Sequence, residues 1–138
     1  TEVDTLSLHD ALPISNNGKI EGWFRKNAKQ NKSYFFKSKV TNSKFGSLYY
    51  KKIKKLDNYC LVEAELITGR HHQIRCSFSE LGYPIQGDLK YGSKRSNKDG
   101  GIYLHSRGVE FIHPVSKNKI FLKADTPRTG LWIASPSY

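Results

Sequence analysis

The chain has 138 residues, 37% of them hydrophobic, and a formal net charge of +11 at pH 7. This length predicts about one domain, and no apolar run approaches the ~20 residues that a membrane-spanning helix needs. The basic excess favours a polyanionic partner, most often a nucleic acid, because phosphate neutralisation releases counterions. Cys60 and Cys76 allow at most one bridge. Since nothing indicates a secretory route, we expect free, buried thiols and a cytoplasmic protein.

The first 15 residues differ in composition from the rest of the chain. They contain Glu2, Asp4 and Asp10 but no Lys or Arg, so residues 16–138 carry 23 basic against nine acidic side chains, a net +14. The string S-L-H-D-A-L-P-I-S is typical of translated adaptor or linker sequence. Residues 1–15, the leader, are therefore excluded from the fold prediction as non-native. A short native amphipathic helix is the alternative.

Residues 19–55 are strongly basic and rich in aromatic side chains. They hold twelve Lys or Arg against one acid, Glu21. Alternation in residues 33–40 and 47–53 predicts strands with one buried face and one cationic face. A surface that follows an RNA backbone would have this composition, although lysines can also simply solvate the outer face of a sheet. The excess of one sign favours the RNA surface, because ordinary surfaces mix both signs.

The next segment predicts a hairpin turn, a strand and a helix. Asp57-Asn58 has turn composition, and the apolar positions of residues 61–67 predict a buried strand. Thr68 can cap a helix that begins near Arg70 and ends at Gly82. Ile74, Phe78 and Leu81 would then share the apolar face.

Arg75 lies about a quarter turn from that apolar stripe, where a cation would stand at the edge of the core. A structural salt bridge at a helix edge is the other possibility for it. Beyond the helix, residues 82–92 have the composition of a shaped loop. In this loop Asp88 is expected to accept backbone hydrogen bonds.

The rest of the chain predicts more sheet. Residues 92–101 form a polar, basic loop that either clamps RNA or merely connects two elements. Residues 102–112 alternate like a strand interrupted near Gly108, residues 113–118 turn, and residues 119–124 form a further strand. His105 is expected to be a core or hydrogen-bonding histidine, and residues 128–138 form a tail.

Three short motifs resemble one enzyme family. T-G-R-H-H-Q-I-R at residues 68–75, G-Y-P-I at 82–85 and G-D-L-K-Y-G at 87–92 look like the third signature region of the Rlu-type RNA pseudouridine synthases. L-H-S at 104–106 and F-I-H-P at 111–114 resemble that family's closing strands. One departure is Ser77, where many members have histidine. The resemblance covers residues 19–127 and implies an α+β domain, residues 16–127: an antiparallel or mixed sheet with one main packed helix, incomplete at its N-terminal side.

The resemblance also implies an activity. In this family an aspartate attacks a flipped-out uridine, the glycosidic bond breaks, and the uracil is reattached through C5, without metal or cofactor. By resemblance, Arg75 pairs with that aspartate as the catalytic arginine and keeps it ionised. The residues assigned to substrate binding are Arg70, His71, Ile74 (as the apolar wall beside the base), Lys90 and Tyr91. The implied partner is RNA, either rRNA or tRNA.

The catalytic aspartate itself is not found. Lys55-Leu56-Asp57 superficially resembles the family's R-L-D motif, but Asp57 lies only eleven residues before Thr68 and is better explained as a turn residue. We therefore predict a fragment of the synthase that is inactive alone. The alternative is a non-catalytic basic RNA-binding module. A zinc site built on His71 and His72 is rejected, since adjacent helical histidines diverge by about 100° and no ligand-pair spacing occurs.

Overall fold

The computed structural model describes residues 2–9, 15–55, 59–125 and 127. Within these residues it contains β1 (Glu2–His9), β2 (Asn17–Asn27), β3 (Lys32–Phe36), β4 (Lys44–Lys55), β5 (Tyr59–Leu66), α1 (Gln73–Glu80), a 3₁₀ turn (Leu89–Tyr91), β6 (Leu104–Ile112) and β7 (Lys119–Lys123). The strands form one sheet in the order β3-β2-β4-β5-β1-β6-β7. All the pairings are antiparallel. The α+β class with one main helix is confirmed.

The leader contributes a central strand, which the sequence prediction excluded from the fold. β1 pairs with β5 on one side and β6 on the other, so that Leu6 lies opposite both Val62 and Leu104. Leu6 and Leu8 are 0% and 1% exposed. The exclusion from the fold is therefore wrong, and residues 2–9 form a strand, not the alternative amphipathic helix. Its non-native origin stays a prediction.

The core lies between one face of the sheet and α1. Because side chains alternate along a strand, the register places one apolar set on the same face of the central strands. These residues pack with α1 in one cluster that includes Leu6, Ile20, Leu48, Val62, Ile74 and Phe78. The rings of Tyr50 and Phe78 meet edge to face with centroids 5.5 Å apart. Burial of each large apolar side chain contributes about 1.5–3 kcal/mol, so this cluster fixes α1 on the sheet.

The sequence predicted that residues 70–72 form the first turn of the helix. In the structure they precede it, because α1 begins at Gln73. His72 has φ 51° and ψ 32°, a left-handed conformation that an α-helix cannot contain. The amide of Gln73 still donates to the carbonyl of Arg70, 3.1 Å away. At the other end Gly82 has φ +90°, as predicted for a left-handed C-terminal residue, but Leu81 is 44% exposed and outside the apolar face. No helix in the described residues is long and apolar enough to span a membrane.

Local side chains set the turns between strands. Asn31, with φ 49°, closes the β2–β3 turn, where the Asn27 side chain accepts a hydrogen bond from the amide of Gln30. His113 Nδ1 accepts from two amides in the β6–β7 turn, which confirms the turn predicted at residues 113–118. Near Gly108, β6 is continuous, but Arg107 is bulged against β1. Asp57-Asn58 lies outside the described residues, as do residues 128–138.

Both cysteines are free and buried, as expected. Burial raises the pKa of the Cys76 thiol to about 12. Because the thiolate is the reactive form, Cys76 is an inert core residue at neutral pH.

Candidate active site

Gln73 joins the end of β5 to the beginning of α1. Its side-chain oxygen accepts hydrogen bonds from Thr68 Oγ1 at 2.8 Å and from the Arg70 amide at 2.9 Å, and its Nε2 donates to the Ser47 carbonyl of β4 at 3.1 Å. Thr68 Oγ1 also accepts from the Ser47 amide. Thr68 therefore does not cap the helix as predicted but bonds to a side chain in its first turn. Gln73, which was not among the predicted site residues, is 3% exposed and holds this segment together.

Arg75 forms a bidentate ion pair with Asp88. Nε donates to Asp88 Oδ2 at 2.8 Å and Nη2 donates to Oδ1 at 2.7 Å. The Asp88 carboxylate is 1% exposed, whereas the Arg75 side chain is 20% exposed. The hydrogen bonds to Asp88 raise the pKa of Arg75, so its positive charge is permanent. As predicted, Asp88 accepts backbone hydrogen bonds in its loop, from the Tyr91 and Ser93 amides, but it does so through its carbonyl oxygen. The carboxylate, which the sequence led us to expect in that role, binds Arg75 instead.

His72 and Tyr91 complete the surroundings of the guanidinium. Arg75 Nη1 lies 3.2 Å from His72 Nε2, and the guanidinium carbon lies 4.9 Å from the centre of the Tyr91 ring. Because arginine can only donate, His72 Nε2 must be the acceptor, and the imidazole proton is then on Nδ1. Nδ1 lies 2.8 Å from the Tyr91 hydroxyl and donates to it. Burial, and then the charge of Arg75, lower the pKa of His72 to about 4, so this neutral tautomer persists at neutral pH.

Tyr91 also connects the site to β3. Its hydroxyl accepts a hydrogen bond from the Ser33 amide at 2.8 Å, and the residue is 4% exposed. On the same strand, the Ser33 hydroxyl donates to the His71 carbonyl and lies 2.7 Å from His71 Nδ1. Tyr91, assigned by resemblance to substrate binding, thus lies beneath Arg75 and orients His72.

Positively charged side chains surround His71, next to Arg75. Burial lowers the pKa of His71, and the nearby charges of Lys26, Arg75 and Lys90 lower it further. The Lys90 ammonium donates to the carbonyls of Gln30 and Asn31 at 3.2 and 3.0 Å, which fixes it beside the β2–β3 turn. Several cations therefore surround one small area, where an anionic ligand would be attracted.

Arg70 and Ile74, which the resemblance also assigns to substrate binding, make their contacts with β4 and with the core. Arg70 lies toward β4, with its Nε donating to the Phe45 carbonyl at 2.7 Å. Ile74 is 5% exposed and packs in the core with Phe78. Their roles in binding stay predictions. His71 and His72 precede the helix with stacked rings 3.8 Å apart, so the 100° divergence used to reject zinc does not apply to them.

Two carboxylates are buried in the described part of the chain, Asp88 and Asp4. Asp4 lies in β1 opposite Ala64 of β5 and Ser106 of β6. Burial raises its pKa to about 7, with a further contribution from the neighbouring charge of Glu2. Asp4 was not among the predicted site residues, because the leader was excluded from the fold.

Comparisons with known proteins agree with this architecture. A family model described as RNA pseudouridylate synthase matches residues 3–80, from β1 to the end of α1. Among solved structures, human RNA pseudouridylate synthase domain containing 1 has a TM-score of 0.74 at 20% identity, covering 93% of this chain and 55% of that one. Because the sequence identity to this solved structure is only 20%, the similarity shows the fold alone.

Curated relatives are more similar in sequence. Ribosomal large subunit pseudouridine synthase C of Buchnera aphidicola is 40% identical over 83 residues, which is 55% of this chain and 26% of the relative. The protein of the same name from Vibrio cholerae is 32% identical over 89 residues, covering 60% of this chain and 28% of the relative. The tRNA pseudouridine synthase C of Vibrio parahaemolyticus is 33% identical over 78 residues, covering 51% and 32%. This chain thus spans about a quarter to a third of these relatives. Because the family model matches more than half of its residues, the chain belongs to the RNA pseudouridylate synthase family.

Proposed function

We propose that this chain is part of an enzyme that isomerises uridine to pseudouridine in rRNA or tRNA. The relatives include a ribosomal large subunit pseudouridine synthase and a tRNA pseudouridine synthase, which supports both RNA classes. The chain would supply Arg75 and the surface around it, and the catalytic aspartate would come from a segment outside this chain. Alone, the chain would be inactive. We further propose a cytoplasmic location, as for an enzyme that acts on these RNAs.

The hydrogen-bonding capacity of Arg75 supports this proposal most directly. A guanidinium has five N–H groups, and its described bonds to Asp88 and His72 use three of them. The side chain is a fifth exposed, so the remaining donors can reach a ligand or an incoming carboxylate. Three neighbours hold the group in one orientation, which reduces the entropy lost when a partner binds.

Each neighbour contributes to that preorganisation in a different way. Asp88 fixes the plane of the guanidinium, the Tyr91 ring supports one face, and neutral His72 accepts a hydrogen bond without adding a positive charge. A catalytic aspartate placed against Arg75 would remain ionised, since a nearby cation favours the charged carboxylate. His71 and Lys90, whose charge acts on His71, would bind the phosphates next to a flipped uridine.

Tritium release from RNA that contains 5-tritiated uridine tests the proposal. The chain alone should release none above background. Fused to the aspartate-bearing N-terminal part of a relative, it should release tritium, and Arg75→Ala should reduce the rate by about a hundredfold, a typical cost of losing a charge-stabilising donor. Lys119→Ala, which removes the cation of an exposed ion pair with Glu110 at the far edge of the sheet, is the matched control and should leave the rate unchanged.

Loss of Asp88's partner could unfold the protein, so a second variant is needed. Arg75→Ala combined with Asp88→Ala removes both charges of the pair, so no buried carboxylate is left unpaired, and this variant should remain folded by circular dichroism while remaining inactive. Turnover by the chain alone would contradict the proposed dependence on a missing aspartate. Full activity in either Arg75 variant of the fusion would contradict the role of Arg75.

A non-catalytic RNA-binding module is the second candidate, and the Arg75–Asp88 pair favours it. Because Asp88 already neutralises Arg75 within the chain, the site is satisfied without a catalytic aspartate. This candidate predicts that the fusion releases no tritium although both it and the chain bind RNA with a steep salt dependence.

A further inference from the structure

The sheet face opposite α1 carries a group of aromatic residues on β3, β2 and β4. Trp23 lies in register with Phe36 on one side and Phe45 on the other, and Arg25 lies opposite Tyr34. Paired residues share a face, and their chain neighbours Phe24 and Leu48 are buried on the other face. These rings therefore point away from the core and from Arg75.

Several of these rings are open to solvent. Tyr34 is 38% exposed, Phe45 41% and Tyr49 47%. Trp23 and Phe45 meet edge to face with centroids 5.6 Å apart, so neighbouring strands present a continuous aromatic surface. Exposed rings on three adjacent strands are costly for a surface that only faces water, and they indicate a binding site.

Cations alternate with the rings across this face. Lys39 Nζ lies 5.7 Å from the centre of the Trp23 ring, the Arg25 guanidinium carbon lies 4.8 Å from Phe36, and Lys19 Nζ lies 5.4 Å from Tyr49. Glu21 is the one acidic residue of β2, and Lys19 pairs with it at 3.1 Å. The surface therefore offers ring faces for bases and positive charges for phosphates side by side.

The same face becomes acidic on the next strand. Glu65 of β5 lies opposite Tyr49, and Glu63 lies opposite Lys51, with 3.7 Å between Lys51 Nζ and Glu63 Oε2. Phosphates would be repelled there. The charge pattern thus limits an anionic ligand to β4, β2 and β3, the edge half of the sheet.

We propose that this stacking face, made of Lys19, Trp23, Tyr34, Phe36, Phe45 and Tyr49, binds single-stranded RNA by stacking bases on its rings, separately from the Arg75 site. The proposed function supplies only the class of ligand, RNA. Single-stranded segments fit better than duplex, because their bases are free to stack on side chains. An apolar protein surface would instead have to desolvate the interleaved lysines, which is unfavourable.

Fluorescence anisotropy tests whether the 138-residue chain binds single-stranded RNA on this face. The probe is a labelled, unstructured RNA of roughly 12 nucleotides, a length within the range that single-strand-binding folds cover. Phe45→Ala and Tyr49→Ala should each weaken binding about fivefold or more, the loss of one stacked base. Tyr49→Phe, which keeps the ring, should bind as the unchanged chain does. Phe121→Ala is the matched control, because Phe121 is equally exposed (46%) on β7 at the other edge of the sheet.

A second measurement reports contact directly. Trp23 and Trp132 are the two tryptophans, so in a Trp132→Phe background RNA stacking should quench Trp23 fluorescence. The proposal would be overturned if Phe45→Ala and Tyr49→Ala lost no more RNA affinity than Phe121→Ala, or if RNA did not quench Trp23 fluorescence. It would also be overturned if Phe45→Ala and Tyr49→Ala changed the oligomeric state in place of RNA affinity, which would indicate a protein interface. Sensitivity to Arg75→Ala alone would refute the stacking face and leave the proposed function standing.

Discussion

Replacing Leu6 by alanine distinguishes a leader outside the fold from a central strand. Leu6 is 0% exposed and lies between Val62 and Leu104 in the register of β1 with its two neighbours. Leucine-to-alanine changes at fully buried sites cost about 2–5 kcal/mol, from lost apolar burial and the cavity left behind. Against a typical total stability of about 5–15 kcal/mol, Leu6→Ala should produce a large loss.

Urea unfolding followed by circular dichroism measures that loss. The matched control is Leu122→Ala on β7, where the side chain is 55% exposed and the expected change is within about 0.5 kcal/mol. Thermal melts should agree, with the midpoint falling by roughly 3–5 °C per kcal/mol for a chain of this size. If Leu6→Ala costs no more than Leu122→Ala, β1 does not pack in the core, and the exclusion of residues 1–15 from the fold would be right.

Two further predictions concern the buried carboxylates. Burial raises the pKa of Asp4 to about 7 from an unfolded value near 3.8. The folded state then binds more protons between these values, and stability falls as pH rises from about 4 to about 7. Asp4→Asn should remove this slope in urea titrations at several pH values, and Asp125→Asn, at an exposed position, should retain it; equal slopes in both would contradict the assignment. Asp88→Asn should cost about 3 kcal/mol, the low end for a broken buried pair because Arg75 is partly exposed. The double variant Asp88→Leu with Arg75→Met should be more stable than Asp88→Leu alone, because it leaves no charge without its partner. A cost for Asp88→Asn below about 1 kcal/mol would contradict the importance of the ion pair for stability.

The sequence predicted those elements whose pattern is local. The strand at β5, the buried face formed by Ile74 and Phe78, and the left-handed Gly82 all follow from periodicity or backbone chemistry within a few residues. β1 was missed because composition set it apart from the rest of the chain. Its place in the sheet depends on pairing with β5 and β6, far along the chain, and a segment considered by itself does not reveal such partners.

In the candidate site, too, local motifs were predictable from the sequence and contacts with distant residues were not. The family motif identified Arg75, but its ion pair forms with a residue 13 positions later, beyond the end of the helix. Asp88 was expected to bond the loop backbone because aspartate often does so in glycine-rich turns. The left-handed His72, which places the imidazole beside Arg75, has no signal in the sequence, since histidine only occasionally adopts that conformation.

Lys32 connects the two surfaces proposed to bind RNA. It lies on β3, the edge strand, and its ammonium is 5.4 Å from the Tyr34 ring on the stacking face and 5.4 Å from the Tyr91 ring beneath Arg75. The opposite edge of the sheet, β7, is separated from the site by the whole width of the strands between. An RNA strand that occupied both surfaces would therefore have its shortest path across β3. If both proposals hold, such a path would present an unpaired segment to the stacking face while a flanking uridine reached Arg75.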